Sequence, residues 1–228
     1  MSRSPTAGSS FQPSDIHGVV AALRKVYSTF REPVVTEMTR SGRNPFQVLV
    51  ATLLSLRTRD EQTRDAAARL FALAPDIPAM LKLTPAQIEK EIRQVGFYKV
   101  KAARILAVCG ILRDKYGGAV PDDLDQLLSL PGVGRKTANL VLTRGFGLPG
   151  ICVDTHVHRI SNRLGYVSTG KPDDTEMVLR RILPPEYWIV YNDLLVAFGQ
   201  NLCTPLSPWC SKCPLTGVCA RVGVARTR

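Results

Sequence analysis

Long apolar runs are missing from this sequence. No stretch approaches the roughly 20 residues of a membrane span, and residues 1–15 hold no apolar core of a signal peptide. Strand-type alternation bounded by hairpin turns is missing too, which argues against a sheet-based fold. No internal repeat and no long linker divides the chain. Acidic side chains are in short supply: 19 Asp and Glu stand against 30 Lys and Arg, giving a formal net charge of +11 and a pI near 9.7. That imbalance points to a polyanionic partner, nucleic acid before membrane. The expected setting is the cytoplasm, in association with the nucleoid.

What is present suits a folded protein. With 228 residues, 45% of them hydrophobic, the chain can bury a substantial core as one domain or two small ones. The first dozen residues are rich in Ser, Pro and Gly without apolar periodicity, so residues 1–13 are expected to form a flexible tail. Helical punctuation then recurs. Asn44-Pro45 opens an apolar run over residues 46–56, and Thr58 with Glu61 has the form of a capping box before a helix ending near Leu73. Thr84, Pro85 and Gln87 repeat the pattern. Longer helices are predicted from about Lys99 to Tyr116, with Gly117-Gly118 past the end, and from about Pro185 to Asn201. The fold class read from these signals is all-α, with a junction near Leu148-Pro149-Gly150.

Residues 127–142 read as a short helix, the turn Leu130-Pro131-Gly132-Val133-Gly134, and a second helix starting at Arg135-Lys136. Two glycines let backbone amides face outward at a helix start, where unpaired N–H groups and the helix dipole attract a phosphate. Such contacts hold DNA without reading its sequence. An ordinary helix–helix turn is the plainer alternative. A nucleotide-binding P-loop is excluded, because Arg135 rather than Gly precedes Lys136 and no strand leads in. A lysine here has two readings of equal weight, a phosphate contact or a nucleophile. For the second, bringing its pKa from about 10.4 to near 7.5 takes roughly 4 kcal/mol of differential environment, which requires burial.

Eighteen residues on, Val153-Asp154-Thr155-His156-Val157-His158 places Asp154 just before an amphipathic segment. The plain reading is an N-cap, and the functional one is a negative charge that stabilises a cation developing at a sugar carbon. His156 and His158, at i and i+2 of a helix, diverge by about 200° and cannot chelate one ion together, so they read as packing or hydrogen-bonding groups. Of six cysteines, Cys109 and Cys152 stand alone, while Cys203, Cys210, Cys213 and Cys219 share the spacing C-x6-C-x2-C-x5-C. That cluster suits one metal centre, either structural zinc or a [4Fe–4S] cluster.

The hairpin motif, Val153-Asp-Thr-His156 and the terminal cysteines, in that order, resemble the endonuclease III family of bifunctional DNA glycosylases of the helix–hairpin–helix superfamily. The resemblance covers residues from about 15 to 220. It implies a six-helix domain over residues 38–148 and a cluster domain built from residues 14–37 and 149–228, with the active-site cleft between them. It implies a [4Fe–4S] cofactor held by Cys203, Cys210, Cys213 and Cys219. The partner implied is double-stranded DNA carrying damaged bases or abasic sites, bound by a monomer with no membrane. By the same match Lys136 attacks C1′ of the damaged nucleotide and forms a Schiff base, Asp154 is its carboxylate partner, and β-elimination then cuts the strand. DNA contacts fall to Pro131, Gly132, Val133, Gly134 and Arg135, and to two wedge positions matched by Arg57 and Phe97. Asp60 matches a position near the base pocket, to which His156 is also assigned. The chain departs from the family pattern in carrying Arg57 where Gln is usual, and in lacking Lys or Arg between Cys203 and Cys210, although Lys212 and Arg221 lie nearby. Two rival functions differ in kind: a monofunctional mismatch adenine glycosylase, which lacks a lysine at position 136, and a non-catalytic protein that uses the hairpin only to hold phosphate.

Overall fold

A computed structural model describes residue 12 and residues 15–30, 34–40 and 44–228. The tail expected over residues 1–13 lies outside the described residues except for Gln12. Twelve α-helices occur among the described residues. They are α1 (Asp15–Tyr27), α2 (Val34–Arg40), α3 (Pro45–Ser55), α4 (Asp60–Leu73), α5 (Ile77–Leu81), α6 (Pro85–Glu91) and α7 (Tyr98–Tyr116), then α8 (Leu124–Leu128), α9 (Arg135–Gly145), α10 (Thr155–Leu164), α11 (Pro172–Ile182) and α12 (Trp188–Asn201). Short 3-10 turns sit at Pro185–Tyr187 and Cys210–Lys212. No strand occurs among the described residues, as the missing alternation led one to expect. No helix among them is long and apolar enough to cross a membrane.

The chain divides into two compact units, Pro33–Cys152 and the pair Met1–Glu32 with Val153–Arg228. In the first, α3 is the central helix. Its apolar residues run all round it, so it must be enclosed on every side, and Phe46 with every residue from Val48 to Leu54 is buried. α9, α4 and α7 pack around it. Asn44 starts it by accepting the Gln47 amide at 2.9 Å, with Pro45 in the first helical position. α7 presents Ala102, Ile105, Val108, Cys109 and Leu112 to the same core and ends on Gly117 and Gly118, both at positive φ. Thr84 and Gln87 form the reciprocal capping box of α6.

The second unit is built on α12, which is buried from Tyr191 to Gly199, Asn192 and Asp193 included, and packs against α1 and α10. Tyr191 is fully enclosed and its hydroxyl meets Ser161 Oγ at 3.1 Å, which satisfies a polar atom that burial would otherwise penalise.

The expected capping box at Thr58 and Glu61 does not form. α4 starts later, at Asp60, with Arg59 as an N-cap that makes no side-chain cap bond. Thr58 Oγ1 is instead drawn to a loop far along the chain, where it accepts from the Gly96 amide at 3.1 Å and from Lys101 Nζ at 2.9 Å. The tertiary partners are better donors for that hydroxyl than a local amide.

Candidate active site and cysteine-lined cavity

The glycine turn is held from beneath. Leu130 and Val133 are buried, and the Val133 amide closes the turn on the Leu130 carbonyl at 3.1 Å. Between these anchors the exposed Gly132 takes φ +79°, a conformation that a Cβ would strain. Gly134 is the N-cap of α9 and brings no side chain to its amides. The start of α9 therefore presents the positive end of its dipole, which attracts an anion. Arg135 and Lys136 follow in the first turn, both half-buried.

The lysine's backbone is pinned on its inner side. Gly150 lies so close to α9 that a Cβ would fall 3.0 Å from Asn139 Oδ1 and 3.1 Å from Thr143 Cγ2. Two residues on, the buried Cys152 directs its thiol at the Lys136 carbonyl at 3.6 Å. Asn139, buried, donates to the Arg135 carbonyl at 3.0 Å. Burial of Cys109, the other lone cysteine, pushes its thiol up to about 12, which makes it an inert core group.

Asp154 is the N-cap that the sequence suggested. Its Oδ1 accepts from the amides of His156 at 2.8 Å and Val157 at 2.9 Å, which fixes the carboxylate at the start of α10. Lys136 and Asp154 lie in different units. The two histidines are apart, as their spacing required. His156 Nδ1 meets Arg159 Nη2 at 3.1 Å and packs where Gly199 leaves room, whereas His158 Nδ1 pairs with Thr175 Oγ1 at 2.7 Å.

Arg57 and Phe97 stand together in the first unit. Both are non-glycine residues in the left-handed region, at φ 53° and 58°, and the Arg57 guanidinium lies 5.8 Å from the Phe97 ring centroid. Phe97 is 61% exposed. Strain of this kind persists only where the surroundings enforce it. Here the enforcing group is Lys101, which sequence reasoning missed. Its side chain is 5% exposed, and its ammonium donates to the carbonyls of Leu54 at 2.6 Å and Leu56 at 2.7 Å and to Thr58 Oγ1. Gly96 completes the clamp, since a Cβ there would fall 2.7 Å from the Arg57 carbonyl. A signal for Lys101 existed: it sits four residues before Ile105, on the buried stripe of α7. Asp60 opens α4 and is half-buried.

In the other unit Cys203, Cys210, Cys213 and Cys219 line one cavity of about 390 Å³, solvent at its mouth included, walled by Ile160, Leu164, Phe198, Leu202 and Leu215. Arg163 organises its rim. It is buried, and its guanidinium donates to Cys203 Sγ at 3.3 Å and to the carbonyls of Thr204 and Pro205. The Leu215 amide points at Cys213 Sγ at 3.4 Å. Burial raises the Cys213 thiol to about 11 and raises Cys219 as well, so a cation must displace those protons to bind. Zinc needs its sulfurs about 3.8 Å apart around one point. Among the described residues no three Cys, His, Asp or Glu side chains converge on a single ion. Four thiols arranged around a cavity fit a polynuclear cluster, in which each sulfur binds a different iron.

Residues 50–185 match the HhH-GPD superfamily of base excision DNA repair proteins. The chain is 48% identical to endonuclease III of Thermotoga maritima over 176 residues, 77% of this chain and 83% of that relative. It is 36% identical to endonuclease III of Escherichia coli over the same shares of the two chains. Among solved structures, a non-covalent endonuclease III–DNA complex superposes with a TM-score of 0.82 at 36% identity, covering 92% of this chain and 96% of that one. A trapped endonuclease III–DNA covalent intermediate gives the same values.

The Lys101 clamp carries a pH signature. Burial first, and the neighbouring Arg104 second, depress the ammonium from 10.5 to about 8. The unfolded chain therefore binds more protons than the folded one between those values, and stability contributed by this group rises with pH across that window and is lost as pH falls through about 8. Urea unfolding of the wild type, referenced to Lys101→Met, is expected to gain at most about 3 kcal/mol between pH 8 and 10.5. A flat or falling difference contradicts the buried ammonium.

Proposed function

The chain belongs to the endonuclease III family within the HhH-GPD superfamily of base excision DNA repair proteins, and from that premise we propose that it removes damaged bases from duplex DNA and cuts the strand beside the gap. The observation that carries this reading is a lysine in the first turn of a helix that starts on a glycine turn, with Gly134 as its N-cap. A phosphate held by the amides of that turn brings a deoxyribose to the lysine.

In this reading Lys136 Nζ attacks C1′, a C–N bond forms, and the glycosidic bond breaks with the base as leaving group. Asp154 stabilises the positive charge that develops on the sugar. Opening of the sugar ring gives a Schiff base on Lys136. Loss of a C2′ proton then expels the 3′ phosphate, and hydrolysis of the imine restores the amine. The target nucleotide must first leave the stack, at a cost of a few kcal/mol that is least for a damaged or unpaired base. Arg57 and Phe97, held by the Lys101 clamp, fill the space it vacates, and the family match assigns Asp60 and His156 each to recognition of the base. Pro131, Gly132, Val133, Gly134 and Arg135 grip the backbone. Oxidised pyrimidines are the lesion class that the family suggests. A mismatch adenine glycosylase is disfavoured by the lysine at position 136.

The four cysteines are the ligands of a [4Fe–4S] cluster in this reading. When bound, such a cluster cross-links residues 203–219 into one rigid loop. Arg163 holds Cys203 and the carbonyls of Thr204 and Pro205 in place for it.

Borohydride trapping on an abasic-site duplex is expected to give a covalent adduct with the wild type and none with Lys136→Ala. No adduct from the wild type refutes bifunctional chemistry. Asp154→Asn keeps an oxygen to cap α10, so duplex binding should persist while turnover falls by roughly a hundredfold. Wild-type turnover removes Asp154 from the mechanism. Metal analysis of anaerobically purified protein should find about four irons per chain and no zinc, with iron lost in Cys213→Ser. One zinc per chain contradicts the cluster assignment.

A further inference from the structure

Lys101 and Arg104 lie three residues apart on α7, and Phe97 is its N-cap. Together with Leu56, Arg57 and Val100 they line an open pocket of about 770 Å³, solvent included, wholly within the unit Pro33–Cys152. Every charged side chain lining it is cationic. The three donors of Lys101 are consumed by Leu54, Leu56 and Thr58, so it contributes field but no hydrogen bond to a ligand. Arg104 differs. Its guanidinium makes no hydrogen bond or ion pair among the described residues, and it raises the electrostatic cost of the Lys101 ammonium beside it. Two neighbouring cations facing a pocket without a carboxylate leave a repulsion that an anion relieves.

The other end of that side chain lies on the hairpin. A Cβ on Gly132 would overlap Cδ, Nε and Cζ of Arg104, so the guanidinium rests against the glycine of the phosphate-binding turn. α7 thus carries the wedge residue Phe97 at its start and, two turns later, a half-buried guanidinium beside the turn.

We infer that this pocket is a phosphodiester site of the DNA backbone and that Arg104 is its ligand, joining the wedge to the hairpin in one contact surface. The inference rests on the reading of the chain as a DNA-acting enzyme and adds a binding residue to it. A planar guanidinium with five donors suits two phosphate oxygens, and such a contact positions the duplex without reading its bases.

The test is the salt dependence of duplex binding by the full chain, on undamaged DNA and on DNA with an abasic-site analogue. Arg104→Gln keeps much of the side chain's packing and removes the charge, whereas Arg104→Lys keeps the charge. Loss of one phosphate contact flattens the slope of log affinity against log salt by about 0.9. That flattening is expected in Arg104→Gln equally on both duplexes, with the slope restored in Arg104→Lys and wild-type melting temperatures in both. A wild-type slope in Arg104→Gln overturns the inference and leaves Arg104 as packing for Gly132. A wild type with no salt-dependent duplex binding removes the DNA-acting reading and this inference with it, so the two failures are distinguishable.

Discussion

Everything chemical in this protein depends on burying two side chains beneath a turn. Leu130 and Val133 anchor residues 130–134 in the core of the unit, and that leaves the glycines between and after them on the surface, with Gly134 as the N-cap of α9. Burial of two aliphatic side chains stabilises the anchor by roughly 3–6 kcal/mol in total, far more than the few tenths to one kcal/mol a side-chain cap on Gly134 would add. The turn can therefore hold its conformation without a side chain on Gly134. Lys136 inherits its position from that choice, and the contact of Cys152 with its carbonyl holds its backbone from within.

The second constraint is the ammonium of Lys101. A buried charge is costly unless fully satisfied, and here three oxygens surround it. What the arrangement accomplishes is conformational: the end of α3, the Arg57 turn and, through Thr58, the Gly96 loop are tied to one atom. Two strained residues, Arg57 and Phe97, are presented side by side as a result. Arg163 plays a similar part in the other unit, where one guanidinium binds a cysteine sulfur and two loop carbonyls. In both places a long cationic side chain replaces regular secondary structure as the organiser of a functional loop.

Legibility in the sequence followed the range of the interaction. Asn44-Pro45 and Thr84-Pro85-Gln87 were readable because a cap and its amide lie within three residues. The hairpin was readable because Gly-x-Gly before a basic helix start has few uses, and Asp154 because a cap before an amphipathic segment is local. Thr58 misled because its partners lie 38 and 43 residues away, at Gly96 and Lys101. Lys101 and Arg104 went unread because only the fold gives one a set of carbonyls and the other a glycine. The cysteine spacing left zinc and iron–sulfur both open, and it could not show that all four thiols line one cavity.

The central claim is that one amine, placed by the glycine turn, forms the bond to DNA. Mass-spectrometric mapping of the borohydride-reduced adduct tests it at the level of the atom. The account predicts that the deoxyribose remnant sits on the peptide containing Lys136 and on no other. Attachment to another lysine, Lys101 included, or to the amino terminus contradicts it.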